Sequence, residues 1–186
     1  MPLANSSRDL TETTIASHIR FQGKLLVVVE DEVRMPDGRS ATREYIRHPG
    51  AVVVVALNDD GAVILERQWR HPLGAAIIEL PAGKIDRGET PLACAKRELL
   101  EETGFVAARW QELGTLHPCV GYSDERLILY LAQGLTQAGA RPDDGEHLEV
   151  IALPLSEALA WIDDGRLTDA KSVAGLLWAD RLRRGD

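Results

Sequence analysis

The chain has 186 residues, of which 45% are hydrophobic and 27% are charged. This composition is that of an ordinary globular domain and excludes collagen-like, fibrous and disordered proteins. Twenty-nine Asp and Glu residues against 21 Lys and Arg residues give a formal net charge of -8. Because no basic stripe offsets that charge, the sequence argues against binding to a nucleic acid polymer.

Two cysteines, Cys94 and Cys119, are too few to form a disulfide framework. No apolar run approaches the roughly 18 residues of a membrane-spanning helix. Residues 1–12 have neither the basic start nor the apolar centre of a signal peptide. We therefore expect a soluble, cytoplasmic protein that has no membrane partner.

Strands are predicted first along the chain. Residues 24–47 predict a hairpin closed by a Pro-Asp-Gly turn at residues 36–38. Residues 51–69 predict a second hairpin, closed by the sequence NDDG. Its first strand is apolar at nearly every position, which is typical of a strand covered on both faces, so helices are expected to pack over this sheet.

Helices and further strands are predicted in the rest of the chain. Thr90 caps the first helix and Gly104 ends it, while Ser156 and Thr168 are the predicted caps of two later helices. Strands are predicted at residues 110–116, 126–134 and 148–153. These elements predict an α+β fold, with an additional N-terminal antiparallel strand region.

The first helix carries a cluster of carboxylates. Glu98 lies one helical turn from both Glu101 and Glu102, so their oxygens can converge. A hard divalent cation with oxygen ligands, such as Mg²⁺, suits this cluster, and such sites usually serve phosphate chemistry. The alternative is a solvated acidic helix face. The tight break at residues 80–83 and the glycine-flanked loop before the helix favour the metal site.

Glu89 and Arg97 form a second feature of this segment. They are about two helical turns apart, so they can meet across the start of the helix as an ion pair. One arginine cannot neutralise the remaining glutamates, which again favours a bound cation.

This segment resembles the complete box of the Nudix hydrolases, which cleave a nucleoside diphosphate linked to another group. The resemblance rests on Gly83, Glu89 and residues 97–105, RELLEETGF. Every charged and glycine position of the pattern is met, and only the last position differs, with Phe105 in place of the commoner aliphatic residue. The resemblance implies an α/β/α sandwich with the box as loop, helix and loop.

The resemblance also implies a metal site for Mg²⁺, with Mn²⁺ as a substitute. Glu98 and Glu102 are the principal ligands that it implies, and Glu101 is a further ligand or an acid/base aid. The carbonyl oxygen of Ala82 is an added contact.

Other segments resemble the ADP-ribose pyrophosphatase branch of this family. They are residues 44–52, 66–70, 79–83, 121–125 and 163–173. Proteins of that branch are homodimers whose N-terminal strands help complete the partner's site. We therefore interpret residues 1–48 as a dimer-forming strand region and residues 49–186 as the Nudix hydrolase domain. One departure is Val120, where the branch usually carries proline.

Substrate contacts are implied by the same branch. Arg70 and Glu79 match positions that contact substrate there. Arg47 is a candidate second phosphate contact, and the alternative is a solvated arginine at a strand end. Trp69, beside Arg70, is a candidate contact to a nucleobase, and the alternative is a core or interface anchor.

The group that activates water is expected in the acidic loop at residues 141–149. Glu146 is the first candidate for this base and Asp144 is the second, with a solvated turn as the alternative for each. If no loop residue reaches the site, Glu98 or Glu101 positions the water instead.

Together these features predict Mg²⁺-dependent hydrolysis of the pyrophosphate bond of ADP-ribose, to AMP and ribose 5-phosphate, or of a related nucleoside diphosphate sugar. Two alternatives stay open. One is a Nudix hydrolase of another nucleotide, such as GDP-mannose or a dinucleoside polyphosphate, and the other is a non-catalytic nucleotide-sensing module. The intact box favours catalysis, because a sensor does not need all three glutamates and the ion pair. The expected partners are a small nucleotide and a second copy of the chain.

Overall fold

A computed structural model of the protein describes residues 9–139 and 147–185. The chain divides into two compact units. The first unit holds the described residues up to His48 together with Cys119–Glu125. The second holds Pro49–Pro118 and the described residues from Arg126 onward. A short segment from the second half of the chain therefore belongs with the N-terminal strands.

The first unit is an antiparallel sheet of three strands in the order β1-β2-β3. The strands are β1 (Thr13–Gln22), β2 (Val27–Arg34) and β3 (Ser40–Arg47). The turn between β2 and β3 places Gly38 at φ 86°, a left-handed value that glycine adopts without strain. The Ile46 N–H donates to the Tyr122 carbonyl at 2.8 Å, which ties the segment Cys119–Glu125 to β3. The predicted N-terminal antiparallel region is confirmed.

The second unit is built on a seven-stranded sheet. Its strands are β4 (Ala51–Leu57), β5 (Ala62–Arg70), β6 (Ala75–Glu79), β7 (Ala82–Lys84), β8 (Phe105–Leu116), β9 (Leu127–Gln137) and β10 (Leu148–Pro154). The order is β10-β5-β4-β9-β8, with β6 paired to β5 and β7 paired to β4. β4 and β9 are parallel, and the other pairs are antiparallel.

The helices of this unit are α1 (Pro91–Thr103), α2 (Leu155–Asp163) and α3 (Ala170–Arg184), and a short 3-10 helix occupies His71–Leu73. No helix within the described ranges is long and apolar enough to cross a bilayer.

The core of the second unit lies on both faces of β4, whose seven residues are all buried. Side chains alternate along a strand, so odd-numbered and even-numbered residues enter different layers. Val53 and Val55 pack in the layer that contains residues of α2 and α3. Val52 and Val54 pack in the layer that contains Cys94, Ala95 and Leu99 of α1. Each fully buried valine stabilises the fold by about 1.5–3 kcal/mol. The predicted α/β/α sandwich is confirmed.

Helix α1 begins and ends as predicted. The Thr90 side chain accepts a hydrogen bond from the Ala93 N–H, and Gly104 ends the helix at φ 75°. The residues just before the helix differ from the expectation of a loop. Gly83 belongs to β7 and pairs opposite Val52, so the start of the box lies within the sheet.

The predicted caps of the other two helices are wrong. Ser156 lies inside α2, because the chain passes from β10 through Pro154 directly into the helix. Asp169, rather than Thr168, caps α3 and accepts a hydrogen bond from the Ser172 N–H. A carboxylate is a better N-cap acceptor than a threonine hydroxyl, which explains the difference of one residue.

Candidate active site

Glu98 and Glu102 of α1 lie against β7, which brings most of the predicted metal ligands together. A Cβ atom on Gly83 would lie 1.8 Å from Oε1 of Glu98, so only glycine leaves room for that carboxylate. The Ala82 N–H donates to Oε2 of Glu102 at 3.1 Å. Strand residues 82–83 and two of the three glutamates of α1 therefore share one small region.

Arg97 joins Glu89 to the other glutamates of the box. Its Nε and Nη2 donate to the two Glu89 oxygens, each at 3.0 Å. Its Nη1 donates to Glu98 at 2.8 Å and to Glu101 at 2.9 Å. The hydrogen bond to Glu89 is the main reason why the pKa of Arg97 lies above its ordinary value. We call these four residues, Arg97, Glu89, Glu98 and Glu101, the Arg97 cluster.

Glu66 of β5 is a buried carboxylate that the sequence analysis did not select. It is 1% exposed, and its carboxyl group interacts with that of Glu102. Its Oε2 is buried and has no hydrogen-bond partner among residues 9–139 and 147–185. Burial, and next the charge of Glu79 opposite it on β6, raise the pKa of Glu66 to about 7. The available signal was an acidic residue directly after the apolar run AVIL of a buried strand.

Glu79 is held between two cations. Arg70 donates to it through Nε at 2.6 Å and through Nη2 at 2.9 Å. Lys171 of α3 donates to Glu79 and, at 3.0 Å, to Asp169. Burial opposes ionisation, but the two cations outweigh it and hold the pKa of Glu79 below its ordinary value. We call these four residues, Arg70, Glu79, Lys171 and Asp169, the Glu79 cluster. Lys171 and Asp169 were not predicted as site residues.

The remaining site candidates are Trp69, Arg47, Glu146 and Asp144. Trp69 is 58% exposed, which excludes the core role for it, and alternation along β5 directs it to the face opposite Arg70. Arg47 ends β3 in the first unit, where a hydrogen bond with Tyr45 raises its pKa. Glu146 and Asp144 lie outside the described residues.

The family follows from comparison with known proteins. Residues 47–176, well over half of the chain, match the NUDIX domain model. The chain belongs to the Nudix domain family. Residues 12–46, which precede the Nudix domain, match the nucleoside diphosphate sugar hydrolase N-terminal domain.

Individual relatives of this Nudix protein cover most of its length. It is 36% identical over 168 residues to the ADP-ribose pyrophosphatase of Bacillus subtilis (strain 168), which covers 89% of this chain and 91% of the relative. It is 38% identical over 164 residues to the methanol dehydrogenase activator of Bacillus methanolicus, with 87% and 89% covered. The resemblance to the ADP-ribose pyrophosphatase branch is thus confirmed.

A solved structure shows the same fold. The crystal structure of an ADP compounds hydrolase matches with a TM-score of 0.84 at 24% identity, over 96% of this chain and 98% of that one.

Nudix hydrolases need a divalent metal, and the donors around the box fit one. The glutamates and the Ala82 carbonyl offer only oxygen, which hard cations prefer. Within residues 9–139 and 147–185, no three acidic, histidine or cysteine side chains are already grouped to hold an ion. Arg97 contributes to the absence of such a group, because it holds Glu98 and Glu101 in hydrogen bonds. The unpartnered buried oxygen of Glu66 marks a place where a cation would be stabilised.

Proposed function

We propose that this Nudix pyrophosphohydrolase cleaves the pyrophosphate bond of ADP-ribose and releases AMP and ribose 5-phosphate. The observation that carries the proposal is the contact of box residues with β7, where Glu98 lies against Gly83 and Glu102 accepts from Ala82. The ADP-ribose pyrophosphatase from Bacillus subtilis, similar over nearly the whole chain, supports this substrate.

The proposed cofactor is Mg²⁺, with Mn²⁺ as a substitute. Glu98, Glu101, Glu102 and the Ala82 carbonyl would hold it. When bound, the cation neutralises charge on the pyrophosphate and on the oxygens that become more negative in the transition state. The Glu89–Arg97 pair fixes the start of α1, so that these carboxylates keep their place.

Arg70 is the proposed phosphate-binding residue. Glu79 engages its Nε and Nη2, which fixes the plane of the guanidinium and leaves Nη1 to donate to an anion. Arg47 is proposed as a second phosphate contact and Trp69 as a contact to the nucleobase. Glu146, with Asp144 as second choice, is proposed as the base that accepts the proton of the attacking water.

A homodimer is proposed from the surface of the first unit. β1 is an edge strand of its sheet, and Ile19 and Phe21 on it are each 56% exposed. Apolar side chains along a strand edge favour pairing with another chain. A second copy of this protein is the proposed occupant, with residues 1–48 as the dimer-forming region. The proposed setting is the cytoplasm, which suits a nucleotide substrate and the two free cysteines.

A second candidate is hydrolysis of another nucleoside diphosphate sugar, such as GDP-mannose. Two observations favour it. The domain family that residues 12–46 match belongs to nucleoside diphosphate sugar hydrolases, and its description does not single out ADP-ribose. Val120, at the position where the ADP-ribose branch usually has proline, is 83% exposed.

The test is separation of products by anion exchange after incubation with Mg²⁺. ADP-ribose, ADP-glucose, GDP-mannose, NADH and diadenosine polyphosphates are supplied in parallel. We expect the fastest release of AMP from ADP-ribose. Faster cleavage of another diphosphate moves the substrate to the second candidate, and tight binding without turnover of any compound supports a nucleotide sensor instead.

A further inference from the structure

Glu66 is a buried acid whose charge the residues of the proposed site do not balance. A carboxylate that is 1% exposed is costly to bury unless it is paired with a cation or fully hydrogen-bonded. In the part of the chain that the structure describes, its Oε2 has no hydrogen-bond partner. Its cross-strand neighbour in the register of β5 and β6 is Glu79, another buried acid. Like charges directly opposite one another destabilise a sheet.

The cationic side chains near Glu66 donate hydrogen bonds to other carboxylates. Both Arg70 and Lys171 donate to Glu79. Lys171 also donates to Asp169, which caps α3. These contacts offset the charge of Glu79. Among the described residues, Arg70 and Lys171 act on Glu66 through their charge and not through a hydrogen bond.

The Glu66 carboxyl group interacts with the carboxyl group of Glu102, a residue of the proposed metal site. Two buried carboxyl groups in contact need a shared proton or a shared cation. A divalent cation neutralises the charges of both carboxylates, and it also provides a partner for Oε2 of Glu66.

We propose that Glu66 is an additional carboxylate of the metal site, and that its Oε2 binds the divalent cation that Glu102 also binds. This inference rests on the proposed function, because it requires the metal site of the box. It extends that site to β5, a strand outside the box. It also gives the acidic residue of the segment ERQWR a chemical role.

The test is Mn²⁺ binding to the nucleotide-free protein, followed by electron paramagnetic resonance at one fixed pH. Glu66→Gln keeps the shape of the side chain and its ability to donate a hydrogen bond to Glu102, but it removes the charge. We expect the Kd for Mn²⁺ to rise about tenfold or more. Glu149→Gln is the matched control, because Glu149 lies on the neighbouring strand β10 with an exposed side chain, and its Kd should not change.

Glu102→Gln separates this inference from the proposed function. If Glu102→Gln weakens Mn²⁺ binding while Glu66→Gln binds as the wild type does, the two carboxyl groups share a proton and the inference is overturned. If neither variant weakens binding, the proposed metal site is overturned as well.

Glu66→Asp covers the case in which the amide variant does not fold. It keeps the charge but shortens the side chain by one methylene, so we expect weaker Mn²⁺ binding than in the wild type. An unchanged Kd in this folded variant also overturns the inference.

Discussion

The Arg97 cluster and the Glu79 cluster are both networks of charged side chains, but their charges balance differently. In the Arg97 cluster one guanidinium faces three carboxylates, which leaves two negative charges in excess. In the Glu79 cluster two cations face two carboxylates, and the charges cancel. The excess of negative charge supports the proposal that the Arg97 cluster contributes to a cation site. The charges of the Glu79 cluster balance without an added ion, and this cluster holds Arg70 in place.

The largest effect is expected from a change in the Arg97 cluster. Glu98→Gln keeps an oxygen that can accept from Arg97 but removes a carboxylate of the proposed metal site. We expect turnover of ADP-ribose at saturating Mg²⁺ to fall by about three orders of magnitude, the effect of losing about 4 kcal/mol of transition-state stabilisation. Circular dichroism should show an unchanged fold. Near-normal turnover in this variant would contradict the assignment of Glu98.

A break in the balanced cluster should act first on stability. Lys171→Met leaves the buried Glu79 with Arg70 as its remaining cation, and we expect the free energy of unfolding to fall by about 3 kcal/mol. Urea unfolding measures this loss. Lys171→Arg retains the charge and should recover most of it. Equal stability of the methionine variant and the wild type would show that Lys171 is not needed to balance Glu79.

Metal addition should separate the two clusters without any mutation. At a concentration one hundred times its Kd, Mg²⁺ should raise the free energy of unfolding by about 2.7 kcal/mol, because it binds only the folded protein. Thermal unfolding in Mg²⁺ and in a chelator measures the difference. Glu98→Gln should reduce the increase and Lys171→Arg should retain it. An equal increase in both variants would remove the distinction between the clusters.

The smallest effect is expected from a conservative change within the Glu79 cluster. Arg70→Lys keeps the charge but loses the two-nitrogen contact with Glu79. We expect KM for ADP-ribose to rise about tenfold while kcat stays within a factor of about three, since a binding contact rather than the metal site is changed. Steady-state kinetics distinguishes the two constants. A fall in kcat with unchanged KM would assign Arg70 to the chemical step instead.

Local signals in the sequence predicted the parts of the fold that depend on neighbouring residues. Thr90, Gly104 and the alternation of apolar residues in β4 act over a few positions, so α1 and the two-faced strand could be predicted. The cap of α3 was wrong by one residue, because Thr168 and Asp169 carry similar signals and the carboxylate is the better acceptor.

The candidate site could be predicted only where its residues share one segment. The Nudix box lies within 23 consecutive positions, and its spacing is visible in the sequence. Lys171 and Glu79 are 92 residues apart, and their contact exists only after α3 packs on the sheet. The pairing of Glu66 with Glu79 depends on the register of β5 and β6, which the sequence pattern did not specify.

The parallel pairing of β4 with β9 has a consequence for the order in which the protein folds. β4 occupies residues 51–57, but its parallel neighbour is not synthesised until residues 127–133 emerge. Contacts between distant segments form slowly, because a long loop must first close. During synthesis one edge of the most apolar strand therefore stays open, and fragments that end before residue 127 should aggregate in proportion to their concentration.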